Sequence, residues 1–471
     1  MTATSLVLPA RNAGSGIVSR LAASAAAVEG GVMSNAEFSA WLDERRHEQR
    51  QQVERVPFAA LRGWRFEART GDLRHDSGRF FSVHGLAVRS DFGPVRTWAQ
   101  PIIHQPEIGI LGIALRDFDG VPHLLMQAKS EPGNVNGVQL SPTVQATKSN
   151  YMRVHGGSAV PYLDFFRRPE PGRVVADVLQ SEQGSWFLHK RNRNMIVEVG
   201  PQAEAGEDFA WLTLGQVNLL LGHDNLVNMD ARTVLSCLPE WRCSTPQTSG
   251  ETGKAAGGDA GRAPRTDREI RAWLTRRRAE HEVSATPLPL ARTEGWLRTP
   301  EAVTHRRGLY FDIVAVDVSS HRREVPAWSQ PLLQPHGMGI AALFVKQVDG
   351  ELHALLRSRA EPGFLDVVEL GPTVQCVPRN YAHLPEPDHP PYLAEVLARR
   401  GEARYDVVLS EEGGRFRHAQ SHYMIIETDG DFPAVSDEFR WVTPRQLDEL
   451  LCYSHHVNVQ ARTLVAALRT L

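Results

Sequence analysis

Apolar residues along this chain follow a helical spacing and then a strand spacing, and they do so twice. Phe38, Trp41 and Leu42, and later Ile270, Trp273 and Leu274, recur at the period of an amphipathic helix. Each group is preceded by a hydroxyl and an acid three residues apart, Ser34 with Glu37 and Thr266 with Glu269. Such a pair can satisfy each other's backbone donors at a helix start. Strand-like runs follow at 80–88, 108–115, 124–127, 138–145, 174–179 and 195–199, with counterparts in the second half. A second start signal, Thr213 with Gln216 and Thr443 with Gln446, opens another helix, and Pro444 occupies its permitted first position. A last helix carries Val227, Ala231, Val234 and Leu235. Each half is therefore expected to be a mixed α/β domain.

The recurrence extends to identity. Residues 128–151, AKSEPGNVNGVQLSPTVQATKSNY, and 358–381, SRAEPGFLDVVELGPTVQCVPRNY, agree at 11 of 24 positions without a gap, where chance supplies roughly one or two. Trp64 answers to Trp296, Trp98 with Gln100 and Pro101 to Trp328 with Gln330 and Pro331, and His189 to His418. An internal duplication places the copies at 34–241 and 266–471. Between them, residues 242–265 are rich in Ser, Thr, Gly and Ala and read as a flexible linker. Residues 1–33, also small and polar in composition, read as a disordered leader. The 471 residues, which by length alone suggest three domains, thus hold two.

Composition narrows the classes of partner. Lys and Arg number 52 against 55 Asp and Glu, a formal charge of −3, so no whole-chain field favours nucleic acid or an anionic membrane. The basic runs Arg45-Arg46 and Arg276-Arg277-Arg278 fall in the expected helices and read as solvated faces. No apolar run approaches the roughly 20 residues of a membrane helix. Cys237, Cys243, Cys376 and Cys452 have neither metal-type spacing nor disulfide density, which fits a reducing cytoplasm. His223, His455 and His456 do not keep their spacing between copies, which argues against a metal cluster.

The chain lacks a GxxxxGK[ST] phosphate loop, an HExxH helix and a GxSxG elbow. Candidate chemistry gathers instead around the repeated window. Glu131-Pro132-Gly133 and Glu361-Pro362-Gly363 form a turn with an acid at its start; the plainer reading has the Glu capping the turn and the Gly supplying a positive φ. Gln139, Thr143 and Gln145, with Val135 and Thr147, are spaced to share one strand face that could line a pocket for a hydroxyl-rich ligand. Ser149, Asn150 and Tyr151 close the window, and Arg379, Asn380 and Tyr381 close its counterpart. Cations, amides and phenols suit phosphate and sugar groups, or merely end a loop. Lys148 can donate a proton or hold an enolate oxygen, whereas its counterpart Pro378 can do neither. Trp64 and Trp296 each follow a glycine and could stack on a base or pack in a core. His189 and His418 precede a strand that ends in an acid, a pairing able to move protons.

With these residues in view, the chain resembles the NDP-hexose 2,3-dehydratase family. The resemblance covers residues 34–471 and is carried by WAQPIIHQPEIGILGI from Trp98, EPGNVNGVQLSPTVQATKSNY from Glu131 and KRNRNMIVE from Lys190. It implies two Nudix-like α/β/α domains, a homodimer, and removal of the carbon-2 hydroxyl of dTDP-4-dehydro-6-deoxyglucose to give a 3,4-diketo-2,6-dideoxy sugar nucleotide. An NADPH-dependent 3-ketoreductase would consume that product in a cytoplasmic deoxysugar pathway serving natural products such as antibiotics. Neither copy carries the Nudix helix signature Gx5Ex7REUxEExGU, whose glutamates hold magnesium. The implied chemistry, proton abstraction next to a ketone and loss of hydroxide, requires no cofactor and no metal.

The Lys148/Pro378 difference, with the extra polarity of Asn134, Asn136 and Gln139 against Phe364, Asp366 and Glu369, points to the first copy as the working pocket. Lys148 and Tyr151 are its acid or enolate-stabilising groups, and Glu131 or His189 its base. Trp64, Thr147 to Tyr151 and Ser181 are the expected ligand contacts in one half, Trp296 and Arg379 to Tyr381 those in the other. Two other readings fit the same features: a non-catalytic sugar-nucleotide binding protein and a residual diphosphate hydrolase.

Overall fold

The computed structural model describes residues 14–148, 159–170, 172–239, 266–320, 325–428, 432 and 435–471. Each copy builds one large mixed sheet and one small antiparallel sheet. In the first copy the large sheet runs in the order Val174–Ser181, Arg191–Glu198, Gly109–Phe118, Val121–Ser130 and Phe209–Thr213. Arg191–Glu198 and Gly109–Phe118 are parallel, the other neighbours antiparallel. Tyr405–Ser410, Gln420–Glu427, Gly339–Val348, Glu351–Ala360 and Phe439–Val442 repeat this arrangement in the second copy.

Alternation along the central strand explains why both faces are covered. Leu111, Ile113 and Leu115 pack under helices Asn35–Glu48, Leu214–Leu220 and Met229–Leu235, while Ile110 and Ala114 face helix Leu163–Arg167 on the other side. Gly112 faces the same way, and a Cβ there would stand 2.4 Å from the Phe166 ring. All four expected capping boxes form, at Ser34, Thr213, Thr266 and Thr443.

The small sheets are exchanged. Gln51–Val56 of the first copy pairs with Phe311–Ser320 of the second, and Val283–Leu288 of the second pairs with Ser82–Ser90 of the first. Trp64, Phe81 and Phe187 of one copy share a single core with Trp296, Phe311 and Phe416 of the other. The repeats are thus units of sequence that interlock as one folded body.

Four expectations change. Residues 14–33 are not a disordered leader: Gly14–Ala26 is a helix whose Leu21 and Ser24 are fully buried, because Ile17, Leu21 and Ala25 form an apolar stripe. Ser24 Oγ donates to Pro122 O at 2.5 Å and accepts from Leu214 N at 2.8 Å. The run 138–145 is two strands, Val138–Ser141 against Val121–Ser130 and Val144–Ala146 against Gly109–Phe118, so its odd-numbered residues do not share a face. Arg45 is no solvated cation but is buried among Glu44, Glu48, Glu207 and Asp208. Finally, Gly133 and Gly363 do not adopt positive φ. The linker 242–265 lies outside the described residues.

Candidate active site between the two copies

Each Glu-Pro-Gly turn docks on a turn of the opposite copy. Gly133 N donates to Gly413 O and His418 N donates to Gly133 O, both at 2.8 Å; Gly363 N to Gly184 O and His189 N to Gly363 O repeat the pair at 2.8 Å. The glycines serve close approach: a Cβ on Gly133 would lie 1.7 Å from Phe416 O, and one on Gly363 1.8 Å from Phe187 O. Beneath the two turns the last helices meet, where Arg232 donates to Ser410 O at 2.8 Å and Arg462 to Ser181 O at 2.6 Å.

Behind each turn runs the same relay. Glu131 Oε1 accepts from Gln145 Nε2 at 2.8 Å, and Gln145 Oε1 accepts from Asn228 Nδ2 at 3.2 Å; Asn228 also caps helix Met229–Leu235. Glu361, Gln375 and Asn458 repeat it at 3.1 and 2.8 Å. The two glutamates differ in what neutralises them. Glu361 is bonded by Arg359 Nε at 2.6 Å and by Ser185 N at 2.9 Å, whereas Lys129 Nζ stands 3.8 Å from Glu131.

Ionisable groups concentrate at the Glu131 turn. The chain offset pairs Asp230 with Gln460, Lys190 with Ala419, Glu412 with Gln183 and Arg415 with Trp186, and in every pair the ionisable member belongs to this cluster. Glu412, from the second copy, and Glu131 both reach the vicinity of Gly414, where a Cβ would lie 3.4 and 3.5 Å from their Oε1 atoms. Asp230 Oδ1 and Glu182 Oε2 are buried and have no hydrogen-bond partner among the described residues.

Burial raises the carboxyl pKa of Glu182 to about 7, with the Glu412 charge adding to it. Burial, then Glu412, Glu182 and Glu131, push Asp230 well above the carboxylate range despite its place in a helix first turn. Burial also raises Glu412, with Glu131 adding to it, while Arg415, Lys190 and Lys129 oppose the rise. Lys190 is lowered by burial, and its Nζ donates to Glu107 O at 2.7 Å. Closely spaced carboxyls that cannot all ionise are a source of acid and base at neutral pH.

The expected site residues separate into groups. Glu131 and Gln145 lie in this cluster, with Thr147 half-buried and Lys148 exposed where the described run ends. Ser149, Asn150 and Tyr151 lie outside the described residues. His189 is exposed with φ 52°, its backbone docked on Gly363 and its imidazole lowered by partial burial and Arg191. Tyr381 sits by Arg357 and Arg359, and burial raises its phenol. Asn380 Oδ1 accepts from Tyr310 N at 3.2 Å, and Arg379 is exposed.

Other expected ligand contacts are engaged in bonds within the fold. Thr143 Oγ1 accepts from Ala114 N and donates to Leu125 O, a staple repeated by Thr373. Gln139 is bonded to Ser410, and Ser181 to Glu369, across the interface. Trp64 and Trp296 begin strands and stand in the shared core, their indole N–H groups donating at 2.9 Å to Ser329 O and Ala99 O of the opposite copy. Burial that closes a ring face to a base, together with a satisfied N–H, marks an anchor between the copies.

Asp230, Glu182, Lys190, Glu412 and Arg415 escaped the sequence reading. For Asp230, Lys190, Glu412 and Arg415 the signal was the loss of charge at the paired position, the same signal used for Lys148, whereas Glu182 pairs with Glu411 and gave no such signal. Among the described residues no group of three or more His, Cys, Asp or Glu side chains could hold a metal ion. A groove of about 780 Å³ lies elsewhere, between the leader helix and strand Tyr405–Ser410. Its charged side chains are engaged: Asp406 with Arg400 and His422, Arg404 with Glu427, and Arg469 with Asp448.

Comparison with known proteins gives one family for both copies. The sequence pattern of NDP-hexose 2,3-dehydratases matches residues 35–238 and again 267–468. Relatives named dTDP-4-dehydro-6-deoxy-alpha-D-glucopyranose 2,3-dehydratase occur in Saccharopolyspora spinosa, 47% identical over 97% of this chain and 96% of theirs, and in Amycolatopsis orientalis, 47% identical over 95% and 93%. A third, from Streptomyces violaceoruber, is 47% identical over 93% of this chain and 98% of its own.

Proposed function

Because the chain belongs to the NDP-hexose 2,3-dehydratase family, we propose that it dehydrates dTDP-4-dehydro-6-deoxyglucose to the 3,4-diketo-2,6-dideoxy sugar nucleotide, as a hydro-lyase working at the Glu131 turn. The observation that carries this reading is 47% identity, over nearly the whole of both chains, to relatives of that name. The gathering of Glu131, Glu182, Asp230 and Glu412, carboxyls that raise one another's pKa, at one of two equivalent turns supports a single working half.

The ketone at carbon 4 acidifies the proton on carbon 3, and the hydroxyl at carbon 2 is β to that ketone. Glu131 takes the proton, with His189 the other candidate base. Lys148 and Tyr151 stabilise the enolate oxygen. The second turn, where Arg359 neutralises Glu361, binds nucleotide without turnover. Each large sheet between helical layers fits a Nudix-like domain.

The reading extends to a homodimer in the cytoplasm, to deoxysugar biosynthesis for natural products, and to an NADPH-dependent 3-ketoreductase that consumes the product. Incubation with dTDP-4-dehydro-6-deoxyglucose, with a ketoreductase and NADPH to trap the product, is expected to yield a 2-deoxy sugar nucleotide. Binding without that product overturns the enzyme reading, and release of dTMP only with magnesium would indicate a hydrolase.

A further inference from the structure

Elimination needs a proton donor for the departing hydroxide, and the structure points to one on the second copy. We propose that Glu412 is a catalytic acid delivered across the copy interface to the Glu131 site. This rests on the dehydratase reading.

The placement is specific. Glu412 lies in the turn that docks on Glu131-Pro132-Gly133, held there by the Gly133–Gly413 and His418–Gly133 bonds. Its Oε1 and that of Glu131 stand 3.4 and 3.5 Å from the position a Cβ on Gly414 would take, so the two carboxyls are neighbours. Glu412 is half-buried and so can meet a ligand. At the other turn Gln183 replaces it, an amide that cannot supply a proton. Glu131 favours the protonated form of Glu412, while Arg415, Lys190 and Lys129 oppose it, and the Glu412 charge in turn raises Glu182 and Asp230.

The proton count closes. Glu131 takes the carbon-3 proton, and the C–H electron pair forms the enolate. As the enolate collapses, the carbon-2 to oxygen bond breaks, a carbon 2–carbon 3 double bond forms, and the Glu412 proton leaves with hydroxide as water. The product enol returns its hydroxyl proton to Glu412 while protonated Glu131 supplies carbon 2, giving the diketone and restoring both groups. With two carboxyls sharing a proton, the pair titrates as a unit.

The test uses the full-length protein in D2O with dTDP-4-dehydro-6-deoxyglucose. Glu412→Gln is expected to lower turnover at least about 100-fold, the lower range for a general acid, while still exchanging the carbon-3 proton for deuterium. Wild-type elimination by this variant, or loss of exchange along with elimination in a variant that still binds dTDP, overturns the assignment. If wild type forms no 2-deoxy product, the dehydratase reading itself falls; if wild type turns over and Glu412→Gln matches it, only this inference does.

Discussion

Gly133→Ala tests whether the interlocked turns set both stability and the site. The added Cβ would stand 1.7 Å from Phe416 O and 2.6 Å from Gly413 O. Both obstacles are backbone, so no side chain can swing aside, and reaching ordinary contact requires the turns to part by about 1.5 Å. That separation stretches the two 2.8 Å bonds between Gly133 and the Gly413–His418 turn. Each buried group left without its partner costs about 1–3 kcal/mol, which gives a loss of roughly 3–5 kcal/mol. For a cooperative unit of this length the loss lowers Tm by about 3–5 °C. Moving Glu412 away from Glu131 by about 1 Å is expected to reduce kcat on the order of 100-fold. Gly137→Ala is the control: its φ is 75°, but its nearest neighbour is Ser130 Oγ at 4.0 Å, so only left-handed strain of about 1–2 kcal/mol applies. Calorimetry and urea unfolding of both variants, with turnover measured alongside, decide the matter. A Gly133→Ala protein as stable and active as wild type would refute the docking argument.

Expressed separately, residues 34–239 and 266–471 each lack a strand of the small sheet, so neither is expected to be a folded monomer, and co-expression is expected to recover a complex. A cooperatively melting monomer of either half contradicts the exchange. Leu21→Ala is expected to cost about 2–4 kcal/mol in urea unfolding, since that side chain is fully buried in the first copy's core; no effect would mean the leader helix does not dock. Glu369 is fully buried and its carboxyl is pushed up to about 7, chiefly by burial. The folded state therefore holds that proton more tightly than the unfolded state, so stability is greatest below about pH 4.5 and falls as pH rises toward 7. Glu369→Gln, the residue found at the paired position 139, is expected to remove this slope and to raise stability at pH 8 by at most about 3 kcal/mol. A denaturation series from pH 5 to 8 with equal slopes for both proteins rejects the assignment.

The repeat, the capped helices and most strands were readable because they are written locally. Ser34 with Glu37 needs nothing beyond its own turn, and alternation in Gly109–Phe118 fixes two faces without reference to a partner. The strand exchange was not readable: the alternation that suits Gln51–Val56 for Phe311–Ser320 would suit it equally for its own copy's Ser82–Ser90. The leader was misread because its Ala-rich composition hid the stripe of Ile17, Leu21 and Ala25. At the site, Glu131 and Gln145 stood out by identity between copies, whereas Asp230 and Glu412 stood out only by difference. That difference gained meaning once the turn at 411–418 was seen against Gly133. Trp64 and Trp296 look the same in sequence whether they stack on a base or anchor the opposite copy; only their N–H partners distinguish the two roles.

The central claim is that one of two related turns performs the elimination. Turnover of dTDP-4-dehydro-6-deoxyglucose by Glu131→Gln and Glu361→Gln, assayed side by side with a trapping ketoreductase, tests it most directly. The account predicts that Glu131→Gln abolishes formation of the 2-deoxy product and that Glu361→Gln retains it. Retained turnover in Glu131→Gln with loss in Glu361→Gln would contradict the account and move the working site to the other turn.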